Sequence, residues 1–165
     1  MLETACTQLK LWGQDALTRD LVLAVNVSVR QFNQADFVVQ IHETTQRHAI
    51  NPKLLKLELT ESMMVENVDE IITKMIALKE LGIQFSMDDF GTGYSSLQYL
   101  NRLPLDQLKI DLSFVRDMTV DGDNSIVQTI IAMAQNLKLN VIAEGVETEE
   151  QQQLLASYGC SHYQG

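Results

Sequence analysis

The sequence predicts an α/β fold built from repeated strand–helix units, and three observations carry that reading. Short apolar runs alternate with longer stretches of helical period along the chain. The short runs are apolar on both faces, as strands buried in a parallel sheet are. The longer stretches carry start and stop signals at their ends. Strands linked through helices pair in parallel with right-handed crossovers, and both a doubly wound sheet and a (β/α)8 barrel fit the alternation.

Residues 21–28, 55–60, 83–88, 107–111 and 140–144 read as strands, and 161–164 as a sixth. Between them lie the helices. In 67–81 the apolar residues Val68, Ile71, Ile72, Met75 and Leu78 share one face. Asn67 is placed to cap that helix with Glu70 as reciprocal partner, and Gly82 suits a left-handed end. In 124–137 the inward face is Ile126, Val127, Ile130, Ile131, Ala134 and Leu137. Thr148 caps the last helix with Gln151 three residues on, and Gly159 closes it. Residues 36–48 form another helix with Phe37, Val38, Ile41 and Thr45 inward, and Met1 to Lys10 read as a helix in progress. No self-similar repeat accompanies the alternation.

Composition bounds the function. The 165 residues suit one domain, with 45% hydrophobic and 21% charged residues. No apolar run approaches the ~20 residues of a membrane span, so no membrane contact is expected from this segment. A net charge of −10 argues against binding a nucleic-acid polymer, whose phosphates need Lys and Arg. It is compatible with a small phosphorylated substrate if a divalent cation lies between the two. Cys6 and Cys160 lie far apart, which suits a reduced, cytoplasmic protein with both thiols packed as small apolar groups.

The apolar strands end in polar residues. Asn26, Glu58, Asp88 with Asp89, Lys109 with Asp111, Glu144 with nearby Glu147, and Gln164 all stand at or near strand ends. Carboxyl ends of parallel strands share one rim, which is where active sites sit in such folds. Burying several carboxylates together is costly unless cations compensate them, and oxygen-only ligands suit magnesium or manganese. A pair of such metals serves in-line phosphoryl displacement, with Lys109 placed to orient the attacking water or neutralise phosphate charge. Each residue also has a plainer reading. A lone strand-end acid is commonly a helix cap, and Asp111 before Leu112-Ser113-Phe114 is best read so. Lys109 among acids suits an ordinary ion pair, and Glu61 a loop brace. His42, His48 and His162 lack ligand spacing.

The ordered motifs Asn26-Val27-Ser28, Glu58-Leu59-Thr60-Glu61-Ser62, Asp88-Asp89-Phe90-Gly91-Thr92-Gly93-Tyr94-Ser95-Ser96-Leu97, Leu108-Lys109-Ile110-Asp111, Ala143-Glu144-Gly145-Val146-Glu147 and Tyr163-Gln164-Gly165 resemble the EAL family of bacterial cyclic di-GMP phosphodiesterases. The resemblance runs through essentially the whole chain. It implies a truncated TIM-like (β/α) barrel with about six of eight strands, since a complete barrel typically needs ~250 residues. It implies hydrolysis of cyclic di-GMP to linear pGpG with Mg²⁺ or Mn²⁺ in a two-metal site. Position by position, Asn26, Glu58 and Asp88 match metal ligands, with Asp88 as the bridge. Asp89 and Glu144 match ligands of the second metal or of its water. Lys109 matches the catalytic lysine, with Glu144, Glu147 and Gln164 completing or supporting the catalytic set. Glu61 matches the glutamate anchoring the loop 90–96, which in the family couples dimerisation to catalysis.

The family's Glu-Ala-Leu tripeptide, with a metal-ligating glutamate and a nearby phosphate-contacting arginine, does not occur in this sequence. The expectation is a clipped domain, with weak or no activity as an isolated piece and open sheet edges prone to association. The parent is expected to be a cytoplasmic or membrane-tethered homodimer with an upstream sensor or GGDEF-type domain. The alternative is a module that binds cyclic di-GMP or a protein without catalysis. A Schiff-base aldolase using Lys109 is disfavoured, because surrounding acids stabilise the protonated amine.

Overall fold

Each apolar run becomes a strand and each long helical stretch a helix in the computed structural model, which describes residues 1–65, 67–92, 97–120 and 122–165. In chain order the elements are α1 (Leu2–Trp12), β1 (Leu23–Asn26), α2 (Val29–Phe32), α3 (Phe37–His48), β2 (Leu55–Thr60), α4 (Val68–Glu80), β3 (Gln84–Phe90), α5 (Leu97–Leu100), β4 (Gln107–Ile110), α6 (Leu112–Arg116), α7 (Ser125–Asn136), β5 (Asn140–Glu144), α8 (Glu149–Ser157) and β6 (His162–Gln164). Single 3-10 turns occupy Pro52–Leu54 and Glu61–Val65. The chain falls into two compact units.

The first unit comprises Met1–Leu59, Met63–Phe85 and Arg102–Pro104. Its strands β1 and β2 pair in parallel, in register from Leu23 opposite Leu55 to Asn26 opposite Glu58. Along β2 the buried Leu55, Leu57 and Leu59 alternate with half-buried Lys56, Glu58 and Thr60, the period-2 signature of a strand with one core face. Helix α1 packs on α3, and α3 on α4. Cys6, Leu9, Phe32, Ile41 and Met75 fill the interior, and the Phe32 and Phe37 rings meet in a tilted pair with centroids 5.1 Å apart. The predicted strand 21–28 is shorter than expected, because Ser28 caps the short helix α2 in a reciprocal box with Gln31. The inward set of α3 holds: Phe37, Ile41 and Thr45 are buried and Val38 half-buried.

The second unit comprises Thr60–Ser62, Ser86–Asn101 and Leu105–Gly165. Strands β3, β4, β5 and β6 form a parallel ladder in sequence order. Helix α7 packs across β4 and β5, and α6 lies against β5 and α7. Leu108, Ile110, Val115, Ile131, Ala134, Ala143 and Leu155 make its core. The reciprocal cap of α8 forms between Thr148 and Gln151 as expected, and Gly159 takes a left-handed φ of 93°.

Three expectations need correction. Asn67 does not cap α4: its backbone takes the left-handed φ of 54° and its side chain makes no cap bond. Glu70, freed from that box, pairs with Lys74 one turn on at 3.0 Å. Ile126, expected inward, is 54% exposed, because α7 turns Val127, Ile130, Ile131 and Ala134 to the core instead. Finally, the strands are not apolar on both faces throughout: β6 is exposed along its length and β2 buries one face.

Cys6 and Cys160 are both free and buried. Burial pushes the Cys6 thiol up to about 11 and raises that of Cys160. Among the described residues no helix is long and apolar enough to cross a membrane.

Candidate active site

Three parallel strands of the second unit place the charged groups. Asp88 and Asp89 end β3, Lys109 lies on β4, and Glu144 ends β5. Lys109 is 8% exposed. Its Nζ donates to Asp88 Oδ1 at 2.9 Å and to Glu144 Oε1 at 2.6 Å. The side chains of Asp88 and Glu144 are themselves largely buried, so the ammonium offsets two carboxylates that water solvates poorly.

Adjacent acids project to opposite sides of a regular strand, so β3 must deform to use both. Met87 lies opposite Leu108 and Phe90 opposite Ile110, so three steps on β3 match two on β4. This one-residue bulge carries Asp89 at a left-handed φ of 54°. The Asp89 N–H donates to Asp88 Oδ1 at 3.1 Å. Burial first, then the charges of Asp88, Asp111 and Glu144, hold the Asp89 carboxyl above the usual carboxylate range, with Lys109 opposing. Asp111 is held below that range by the Ser113 hydroxyl, by the Ser113 and Leu112 N–H groups and by a hydrogen bond with Asp89, against the effect of burial. The two neighbouring acids are thus shifted in opposite directions, Asp89 upward by burial and the surrounding acids and Asp111 downward by its hydrogen bonds.

Asp111 also caps α6, accepting from the Ser113 N–H at 2.9 Å. The plain reading of Asp111 as a cap therefore holds, but it omits the contact with Asp89. The available signal was the i, i+2 spacing of Lys109 and Asp111, which shares one face in extended backbone.

Glycines follow both acid-bearing strand ends. Gly91 has φ 98°, and a Cβ there would lie 2.9 Å from the Phe114 ring. Gly145 has φ 71°, and its Cβ would lie 2.8 Å from Leu112 Cβ. Both positions admit α6 only because they lack a side chain. Glu61, 5% exposed, accepts the Gly91 N–H at 3.0 Å through Oε2. Of the loop 90–96 assigned to Glu61, residues 93–96 lie outside the described residues.

Glu147 is exposed, and its N–H donates to Gln151 Oε1 at 2.9 Å. Gln164 stands opposite Glu144 in the β5–β6 register, and its carbonyl accepts the Val146 N–H at 3.1 Å. In the first unit Asn26 and Glu58 are register partners, and the Glu58 carbonyl accepts the Val27 N–H at 2.9 Å. Asp88, Asp89, Lys109 and Glu144 are thus brought together, whereas Glu147 meets its neighbours through backbone.

The donor set is all oxygen and suits a hard divalent cation. Among the described residues no group of three or more His, Cys, Asp or Glu side chains is already gathered as a metal cage; Lys109 stands between Asp88 and Glu144.

Comparison with known proteins follows from this geometry. The EAL domain family model matches residues 1–165. The chain is 43% identical over 166 residues to the bifunctional diguanylate cyclase/cyclic di-GMP phosphodiesterase MucR of Pseudomonas aeruginosa, covering all of this chain and 24% of that protein. It is 44% identical over 166 residues to the signaling protein YkoW of Bacillus subtilis, covering all of this chain and 20% of that protein. It therefore spans about a fifth to a quarter of the curated relatives it matches. It superposes on the PaMucR phosphodiesterase in complex with c-di-GMP with a TM-score of 0.93 and 42% identity, covering 99% of this chain and 66% of that one. The EAL domain of Mycobacterium smegmatis DcpA gives a TM-score of 0.93 and 38% identity, covering 99% and 74%. Six parallel strands with flanking helices and this likeness establish the fold class as the TIM-like EAL fold. With the family model matching from the first residue to the last, the chain belongs to the EAL domain family.

Proposed function

We propose that this chain forms the catalytic part of a cyclic di-GMP phosphodiesterase, producing linear pGpG with Mg²⁺ or Mn²⁺. The observation that carries the reading is the Lys109 ammonium held between Asp88 and Glu144 at neighbouring strand ends, with Asp89 beside them on a bulge. Relatives support it. MucR and NbdA of Pseudomonas aeruginosa are named as cyclic di-GMP phosphodiesterases. Solved neighbours include calcium and manganese complexes of BlrP1 with cyclic di-GMP.

In the reaction, the oxygen of water adds to phosphorus, the P–O3′ bond breaks, and the departing 3′ oxygen takes a proton. A bound divalent ion supplies Lewis-acid polarisation and a water of lowered pKa. Asp88, Asp89 and Glu144 would hold such ions through hard oxygen donors. Asn26 and Glu58 are proposed as ligands on the resemblance alone. Lys109, as an ammonium, brings positive charge to the phosphate oxygens as the fifth bond to phosphorus forms. Glu144 orients Lys109 through their 2.6 Å pair. Glu147 and Gln164 support the catalytic set, and Glu61 fixes the start of the 90–96 loop through Gly91. A cytoplasmic setting is supported by the two free thiols. Homodimerisation, and an upstream sensor or GGDEF-type domain, belong to the same proposal on the resemblance.

Product analysis tests it. Incubation of the intact domain with cyclic di-GMP and Mg²⁺ or Mn²⁺ is expected to yield pGpG, and chelation to abolish it, while this chain in isolation is expected to give weak or no turnover. Lys109→Met and Glu144→Gln are expected to lower kcat by about 10²-fold or more. Tight binding of cyclic di-GMP by the intact domain without turnover would overturn the hydrolase reading in favour of a binding module.

A further inference from the structure

Gln151 does more than a helix cap requires. A reciprocal cap needs only an acceptor at this position, a role that Glu and Gln fill equally. Here the side chain is 7% exposed and uses both ends of its amide. Its Oε1 accepts the N–H of Thr148 at 3.2 Å and that of Glu147 at 2.9 Å. Its Nε2 donates to the Val115 carbonyl of α6 at 3.1 Å. A carboxylate has no proton for that last bond, so this set of partners selects an amide.

The bond to Val115 joins two parts of the site that sequence separates. Helix α6 begins at Asp111, which contacts Asp89, and its Leu112 lies against Gly145. The turn after Glu144 is tied at each step. Glu144 pairs with Lys109, Val146 donates to Gln164, and Glu147 and Thr148 donate to Gln151. Gln151 closes this loop of contacts back onto α6.

We propose that Gln151 is a positioning residue that locks the Glu144–Glu147 turn to α6, setting where Glu144 and Glu147 stand relative to Lys109 and Asp89. Its effect on turnover rests on the phosphodiesterase reading; its effect on the turn does not. Groups that orient the residues of a metal site from behind typically alter activity or metal affinity by about 10- to 100-fold when removed.

The test compares Gln151→Glu and Gln151→Met with Thr148→Ala. Thr148→Ala removes the hydroxyl that caps α8 and leaves all three Gln151 side-chain bonds in place. It is expected to lower Tm while kcat stays within about twofold. Gln151→Glu keeps the acceptor and loses the donor. It is expected to lower kcat for cyclic di-GMP, or the directly titrated Mn²⁺ affinity, by about 10- to 100-fold. Gln151→Met is expected to speed amide exchange at Glu147 by about tenfold or more. If the Met variant does not fold, Gln151→Ala, which also lacks the acceptor, is read by the same exchange. Equal kcat and Mn²⁺ affinity in Gln151→Glu and Thr148→Ala, with unchanged exchange at Glu147, would overturn the proposal. If the unsubstituted intact domain turns over no cyclic di-GMP, the phosphodiesterase reading fails, and exchange at Glu147 alone decides whether Gln151 positions the turn.

Discussion

In the first unit, Asn26 and Glu58 stand opposite each other in an unbroken parallel ladder. In the second, Asp88 and Asp89 are consecutive on a strand that bulges, beside a nearly buried lysine. A regular strand offers one polar side chain to a given face every second residue, which suffices for Asn26 and Glu58. Using two consecutive carboxylates requires breaking the strand's period. The second unit does this with an extra residue in β3 and a left-handed backbone at Asp89. Such a conformation in a non-glycine residue costs of order 1–3 kcal/mol. Lys109 offsets the accompanying charge repulsion. Strain and buried charge gather at one strand end of the second unit, where the proposed catalytic groups stand.

The sharpest way to break this contrast is Lys109→Met. It leaves Asp88 and Glu144 poorly solvated and without their shared ammonium. We expect a loss of about 3–5 kcal/mol in unfolding free energy, measured by urea denaturation. A loss below about 1 kcal/mol would show that the pair behaves like an exposed surface bridge.

Glu61→Ala comes next. It strips the Gly91 N–H of its side-chain acceptor just beyond the bulge, with an expected cost of about 1–3 kcal/mol in the same denaturation experiment. Gly145→Ala should cost about 2 kcal/mol, from the left-handed backbone and the approach of Leu112. An unchanged Tm for this variant would mean that α6 moves aside without penalty.

The first unit supplies the smallest effect. Glu3 of α1 accepts from Arg47 Nη1 and pairs with His48 Nε2 at the end of α3, each at 2.7 Å. The His48 hydrogen bond first, then the charges of Arg47 and His48, hold its carboxyl below the usual carboxylate range, against a smaller upward push from burial. A depressed carboxylate contributes stability above its unfolded pKa and loses it as pH falls through the lower folded value. Glu3→Gln should therefore lower Tm slightly at neutral pH and leave it nearly unchanged in acid, which flattens the acid side of the Tm–pH curve. An equally steep acid limb in the variant would remove Glu3 from the account.

Much of the architecture was legible because its signals are local. The apolar run that becomes β2 and the cap of α8 by Thr148 and Gln151 need only a few consecutive residues to be recognised, although the one-faced burial of β2 is not legible in that run. The failures are equally instructive. Asn67 and Glu70 have the right spacing for a cap, yet the chain enters α4 through a left-handed residue, and Lys74 takes Glu70. Ile126 fits a helical stripe, but which edge of a stripe faces the core depends on how α7 seats on β4 and β5.

The sequence by itself determined the strand–helix alternation, the acids and the lysine at the strand ends, and the motif order that marks the family, because each depends on residue type and short spacing. Only the tertiary structure decided which of those groups touch. The bulge at Asp89, its contact with Asp111, the ammonium between Asp88 and Glu144, and the tie from Gln151 to Val115 all join segments far apart in the chain. Contacts of that kind arise from register, backbone hand and the removal of water. None of these is written in the neighbourhood of any single residue.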